Sequence, residues 1–175
     1  MKFAVLLVLT MLLPTIVVAR DSHHGHKSDY AGEELRPIKS LSDEDIAELR
    51  RGGGWGLAKA AELNGMPGPS HVLKMGKELA LTADQQARVR AVFENMRREA
   101  VAEGMQYIAL EKGLEERFRH RRVSATELTT LLAAIEESRA RLRFVHLSAH
   151  LRLLDILTQP QIDTYNRLRG YKVSE

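Results

Sequence analysis

Leu81-Thr82-Ala83-Asp84-Gln85 opens the stretch whose reading decides the fold. Thr82 and Gln85 have capping-box spacing: the Thr hydroxyl accepts from the Gln backbone N–H, and the Gln side chain returns the bond. Beyond them Val89, Val92, Phe93, Met96, Ala100, Tyr107, Leu110, Leu114 and Phe118 recur at helical spacing. That predicts one helix of roughly 35 residues, about 50 Å long at 1.5 Å per residue. Gly104 and Gly113 inside it permit bending or close contact, and Arg117-Phe118-Arg119-His120-Arg121-Arg122 forms the basic tip of a hairpin. Ser124-Ala125-Thr126-Glu127 is a further box, with Val123 and Leu128 as its hydrophobic staple. From there Leu128, Leu131, Leu132, Ile135, Leu142, Val145, Ala149 and Leu153 carry a second apolar stripe to about Ile156. Leu157-Thr158-Gln159-Pro160-Gln161 repeats the opening arrangement, and the helix it starts stops at Gly170. Thr82, Gln85, Thr158 and Gln161 are therefore structural caps without chemistry of their own.

N-terminal to this hairpin the elements are short. Ser42-Asp43-Glu44-Asp45 starts a helix with Asp in place of the usual Glu, and Gly52-Gly53-Gly54 ends it. A second short helix is expected over Trp55 to Leu63, and a third over Ser70 to Leu79 with Pro69 in its first turn. The Gly52 to Gly56 run reads as a turn with Trp55 anchored on the bundle. The fold class expected is all-α: an elongated four-helix hook with a long antiparallel helical hairpin, plus short N-terminal helices. Two long helices bury only one stripe each, so the remaining apolar face needs cover from a second copy, the short helices or a client. A homodimer is the expectation.

The first 19 residues read as an export signal. Lys2 precedes an apolar run from Phe3 to Leu13, Pro14 breaks it, and Val17-Val18-Ala19 suits signal peptidase. Residues 20–34 form a polar leader expected to be disordered, 35–69 a short helical extension, and 70–171 the hook. The mature chain is expected outside the cytoplasm, cut near Ala19, without stable membrane insertion. Its 175 residues contain no Cys, which excludes disulfide scaffolds, thiolate metal sites and thiol catalysis. The 26 Lys and Arg are interspersed with 23 Asp and Glu, so a net charge of +3 does not mark a nucleic-acid partner. No enzyme is expected: Leu147 stands where an HExxH zinc site needs its Glu, and no GxSxG, Walker or dinucleotide motif occurs.

An exported, Cys-free helical chain with two LTxxQ motifs, one opening the first long helix and one the last, resembles the Spy/CpxP family of periplasmic chaperones and stress modulators. Periplasmic heavy-metal sensor and zinc-resistance proteins share that hook. The resemblance covers about residues 68 to 171. It implies a location in the periplasm and a cradle-shaped antiparallel homodimer whose concave face binds unfolded or envelope proteins without ATP or any required cofactor. Arg97, Arg98, Arg139 and Arg143, mixed with apolar side chains, are the candidate client-binding residues.

The alternative function is transition-metal binding. His146 and His150 are spaced i, i+4 on one helix face, and His71 and Met75 repeat that spacing on the short helix. If the two helices pack, the four groups converge as ligands for Zn, Cu, Ni or Co. The resemblance implies an intervening carboxylate, for which Glu94, Glu99 and Glu103 all remain candidates, and a membrane-bound regulator as partner. His23-His24-Gly25-His26 offers a weaker, unstructured site. The basic tip suits anionic headgroups or acidic clients.

Overall fold

The capping boxes set the helix starts. A computed structural model describes residues 27–171, so the export signal, its cleavage site and the leader histidines lie outside the described residues. Among the described residues there are six α-helices and no strand: α1 (Asp43–Arg50), α2 (Lys59–Glu62), α3 (Pro69–Lys74), α4 (Ala83–Arg119), α5 (Ala125–Leu154) and α6 (Gln159–Arg169). A 3-10 turn over Glu33–Leu35 precedes them. Thr82 Oγ1 accepts from Gln85 N at 3.1 Å and Ser124 Oγ from Glu127 N at 3.3 Å, so both long helices begin where their boxes predict. Gly170, in the left-handed region at φ +72°, ends α6. None of these helices is long and apolar enough to cross a membrane.

Two short helices differ from expectation. Trp55 at φ +43° and Gly56 at φ +69° cannot continue a helix, so α2 keeps only four residues. α3 stops at Lys74, before Gly76.

The 37-residue α4 packs against α5 along its length. The residues before α3 lie on that pair. Ile38, Leu41, Leu49 and Leu57 are buried in one cluster with Ala100, Tyr107 and Ile108 of α4 and Ile135, Leu142 and Val145 of α5. Each buried Leu, Ile or Val among them contributes about 1.5–3 kcal/mol in gross transfer free energy. Of the three covers the hairpin face required, the short helices supply one. Polar contacts hold the extension as well: Lys39 Nζ reaches Glu115 Oε1 at 2.8 Å, and Trp55 Nε1 donates to Asp45 Oδ1 at 2.7 Å. The Trp55 ring lies 5.6 Å from that of Tyr107, with the Arg139 guanidinium 5.8 Å over it.

Where α1 crosses α4 the approach is close. A Cβ on Gly104 would stand 2.7 Å from the Leu49 carbonyl oxygen, whereas one on Gly113 would meet nothing within 4 Å. Alanine in place of helical glycine ordinarily gains about 1 kcal/mol. Forcing two backbones apart costs about 1–3 kcal/mol. Gly113→Ala is therefore expected to stabilise by roughly 0.5–1 kcal/mol, and Gly104→Ala to destabilise by about 1–2 kcal/mol. Urea midpoints of the two variants check the opposite signs.

The two LTxxQ motifs meet. Gln85 Nε2 donates to Gln161 Oε1 at 2.9 Å and Gln161 Nε2 to Gln85 Oε1 at 3.0 Å, a reciprocal amide pair. Each amide also donates across to the loop before the other's helix: Gln85 to the Ile156 carbonyl at 2.9 Å, Gln161 to the Leu79 carbonyl at 3.1 Å. Each oxygen in turn accepts its own N-cap backbone N–H, from Thr82 at 3.1 Å and Thr158 at 2.9 Å. Both amides thus use two donors and two acceptor positions. Beneath them Val72, Leu79, Val89, Leu153, Ile156, Leu157 and Tyr165 form a second core joining α3, α4, α5 and α6.

Candidate functional site

His146 and His150 occupy one face of α5 and are 3% and 5% exposed. α3 packs against α5 and carries His71 to the same place. The three rings line a cavity of about 400 Å³, together with Glu62, Gly68, Phe93, Met96, Arg97 and the Gly52–Gly54 turn. Met75 does not line it. Its side chain packs with the second core, because this thioether sits on the apolar side of the short helix.

Hydrogen bonds orient two of the rings. His150 Nδ1 lies 2.9 Å from the Met66 carbonyl oxygen. A carbonyl only accepts, so the Met66 contact selects the tautomer with the proton on Nδ1 and the lone pair on Nε2. Gly68 makes room for that ring, since a Cβ there would come within 3.0 Å of Cε1 and 3.3 Å of Nε2. His71 Nδ1 lies 3.3 Å from Glu62 Oε1, which directs the proton of His71 to that side in the same way. Tyr165 Oη donates to Glu62 at 2.7 Å, Tyr171 Oη at 3.0 Å and Arg169 at 3.1 Å. Burial raises the Glu62 carboxyl, but those hydrogen bonds and the charges of His71 and Arg169 outweigh it and hold it below the usual range. Glu62 is thereby an ionised acceptor that fixes a histidine. Tyr165 Oη also accepts from Gly68 N at 3.3 Å, and Asn166 Nδ2 donates to the Gly65 carbonyl at 3.1 Å, which clamps the 65–68 loop to α6.

His146 differs from the other two. Its Nε2 is buried without a hydrogen-bond partner. Such an atom is costly to leave unsatisfied and is uncommon in native interiors. Burial, and secondly the neighbouring His150, push its basicity down, while the Gly53 carbonyl works the other way with less effect. Burial likewise lowers His71, partly offset by Glu62. Both rings are held towards the neutral form that metal ligation requires.

Depressed histidines make stability depend on acid. The unfolded chain takes up its proton near pH 6.5, above the folded value, so folding free energy falls as pH drops below about 6.5, and the fall due to each ring levels off below its folded value. For His146 the slope reaches at most about 1.4 kcal/mol per pH unit. Urea midpoints between pH 8 and 5 should fall, and His146→Gln should flatten that fall; a slope unchanged by the variant would refute it.

As they stand, no three His, Asp or Glu side chains among the described residues form a group able to hold a metal ion. A metal ion held by all three rings would require them to move together. The candidate carboxylates on α4 point elsewhere: Glu99 binds Asn95 at 2.5 Å, Glu103 binds Arg141 at 3.1 Å, and Glu94 lines a separate groove. Glu62, in the extension, is the carboxylate at the cavity, and a lone acid on a four-residue helix carries no sequence signal for that role.

The separate groove, of about 580 Å³, brings Arg97 and Arg98 together with Arg90, Leu73, Phe93 and Val101. Arg139 and Arg143 do not join them: Arg139 stacks on Trp55, and Arg143 is exposed outside the groove. Phe93 and Arg97 line both hollows. Comparison of the chain with family models, curated proteins and solved structures finds no match.

Proposed function

We propose that the chain is an exported protein that binds a transition metal through His71, His146 and His150 and acts in metal sensing or resistance in the periplasm. One observation carries the proposal: three imidazoles line one cavity, two with Nδ1 anchored and the third with a buried, unpartnered Nε2. Anchoring Nδ1 on a carboxylate or carbonyl presents Nε2 to a metal. Three imidazole nitrogens suit Zn, Co, Ni or Cu, with a position left for water or a further ligand. The export reading rests on the N-terminal sequence, and the sensor reading draws on the LTxxQ resemblance. Binding would draw α3, α5 and the Glu62-bearing extension together, a change that a membrane-bound regulator or a second copy of the chain can read.

Isothermal titration of the mature chain with zinc and cobalt tests this, with His23, His24 and His26 changed to Ser. One ion per chain at pH 7.5, absent in His146→Ala, is expected. Unchanged affinity in that variant refutes the proposal.

A second reading, a client-binding chaperone, has its own support. The α4 groove combines guanidinium groups with Phe93, Leu73 and Val101, and Phe144 (69%) and Leu151 (55%) are largely exposed on α5. Such surfaces hold unfolded segments loosely through charge and apolar contact. Suppression of client aggregation at near-stoichiometric ratio, weakened by Arg97→Ser with Arg98→Ser, supports it. Absence of suppression across several clients defeats it.

A further inference from the structure

We propose that the tip of the α4–α5 hairpin docks on an anionic lipid surface. Phe118, 53% exposed, projects between Arg117 and Arg119 at the end of α4, and Arg121 and Arg122 make the turn. Arg121 takes φ +51°, which reverses the chain within a few residues and keeps four guanidinium groups at one apex. The nearby acids are already used. Glu127 lies 3.6 Å from Arg117, and Glu115 accepts from Lys39 at 2.8 Å and Arg119 at 3.4 Å. Glu33 pairs with Arg36 at 3.1 Å. The side chains of Arg121 and Arg122 have neither ion pair nor hydrogen bond among the described residues.

The apex has an apolar component as well as charge. Arg119 donates to the Pro37 carbonyl at 3.1 Å, which brings the segment carrying Leu35, 86% exposed, to the same end of the molecule. A hollow of about 410 Å³ lined by Arg117, His120 and Arg122 has room for a phosphodiester headgroup; Glu116 on its wall is paired with Lys112 at 3.8 Å. Guanidinium groups around exposed Phe and Leu match a layer with anionic phosphates above acyl chains. An acidic peptide would use the charge but not the apolar side chains. This apex shares no residue with the cavity or the groove.

Co-sedimentation of the mature chain with phosphatidylcholine vesicles, with and without phosphatidylglycerol, tests it. Binding is expected only to the phosphatidylglycerol vesicles. It should weaken steeply between 0.1 and 1 M salt, as the screening length falls from about 10 Å to about 3 Å. Each guanidinium near such a surface is worth about fivefold in partitioning, so Arg121→Asn with Arg122→Gln should bind about 25-fold more weakly. Asn tolerates positive φ, and an unchanged circular dichroism spectrum confirms that the variant is folded. Equal binding to both vesicle types overturns the proposal, as does unchanged binding of the folded variant. Capture by polyglutamate with no binding to vesicles also overturns it.

Discussion

Replacing His150 by alanine is expected to weaken zinc or cobalt binding by about a hundredfold or more. A structural zinc site contributes about 10–16 kcal/mol in total, or roughly 3 kcal/mol per ligand, and each 1.4 kcal/mol is tenfold in affinity. The substitution also frees the Met66 carbonyl, so some stability is lost with it. Glu62→Gln separates the two effects. It leaves all three rings in place but removes the charge beside His71 Nδ1, and outer partners of this kind affect affinity by about 10–100-fold. Met75→Leu, which alters only the second core, should leave affinity unchanged. Competition against a chelating dye measures all three variants. Affinity lost in Met75→Leu and retained in His150→Ala would sink the three-histidine assignment.

The second large effect is expected at the glutamine pair. Gln161 makes four hydrogen bonds: two within the amide pair, one to the Leu79 carbonyl and one from Thr158 N. At about 1 kcal/mol net each, with partial recovery by water at a half-buried position, Gln161→Ala should destabilise by about 2–4 kcal/mol. Gln85→Ala should lose a similar amount, since it leaves the Ile156 carbonyl and Thr82 N–H unserved. The double variant should lose less than the sum, by about 1–2 kcal/mol, because either single change already breaks the shared pair. Urea titration of the four proteins closes the cycle. Strict additivity would mean that the motifs cap their own helices independently.

This pair shows what was legible in the sequence and what was not. Thr82 with Gln85 and Thr158 with Gln161 are local capping signals, so the starts of α4 and α6 can be read from four residues each. That the two glutamines then bind one another depends on chain reversal 76 residues apart in sequence, which no local spacing encodes. The contact of Leu49 with Gly104 is similar: glycine in a long helix permits close approach without saying of what. The histidines divide along the same line. Their i, i+4 spacing placed His146 and His150 on one face, and the packing of α3 brought His71 to them. Met75 shares that spacing, but an apolar thioether gains more from burial with Val72 and Leu79 than from a polar cavity. Glu62 is not legible in the sequence because its partners, Tyr165, Arg169 and Tyr171, lie more than a hundred residues away.

The most direct test of the proposed metal centre is zinc-edge X-ray absorption of the mature chain with His23, His24 and His26 changed to Ser, loaded with one equivalent of zinc. Three imidazole nitrogens at about 2.0–2.1 Å and no sulfur scatterer are predicted. A sulfur contribution, a shell of oxygens alone, or failure to retain the ion would contradict a centre built from His71, His146 and His150.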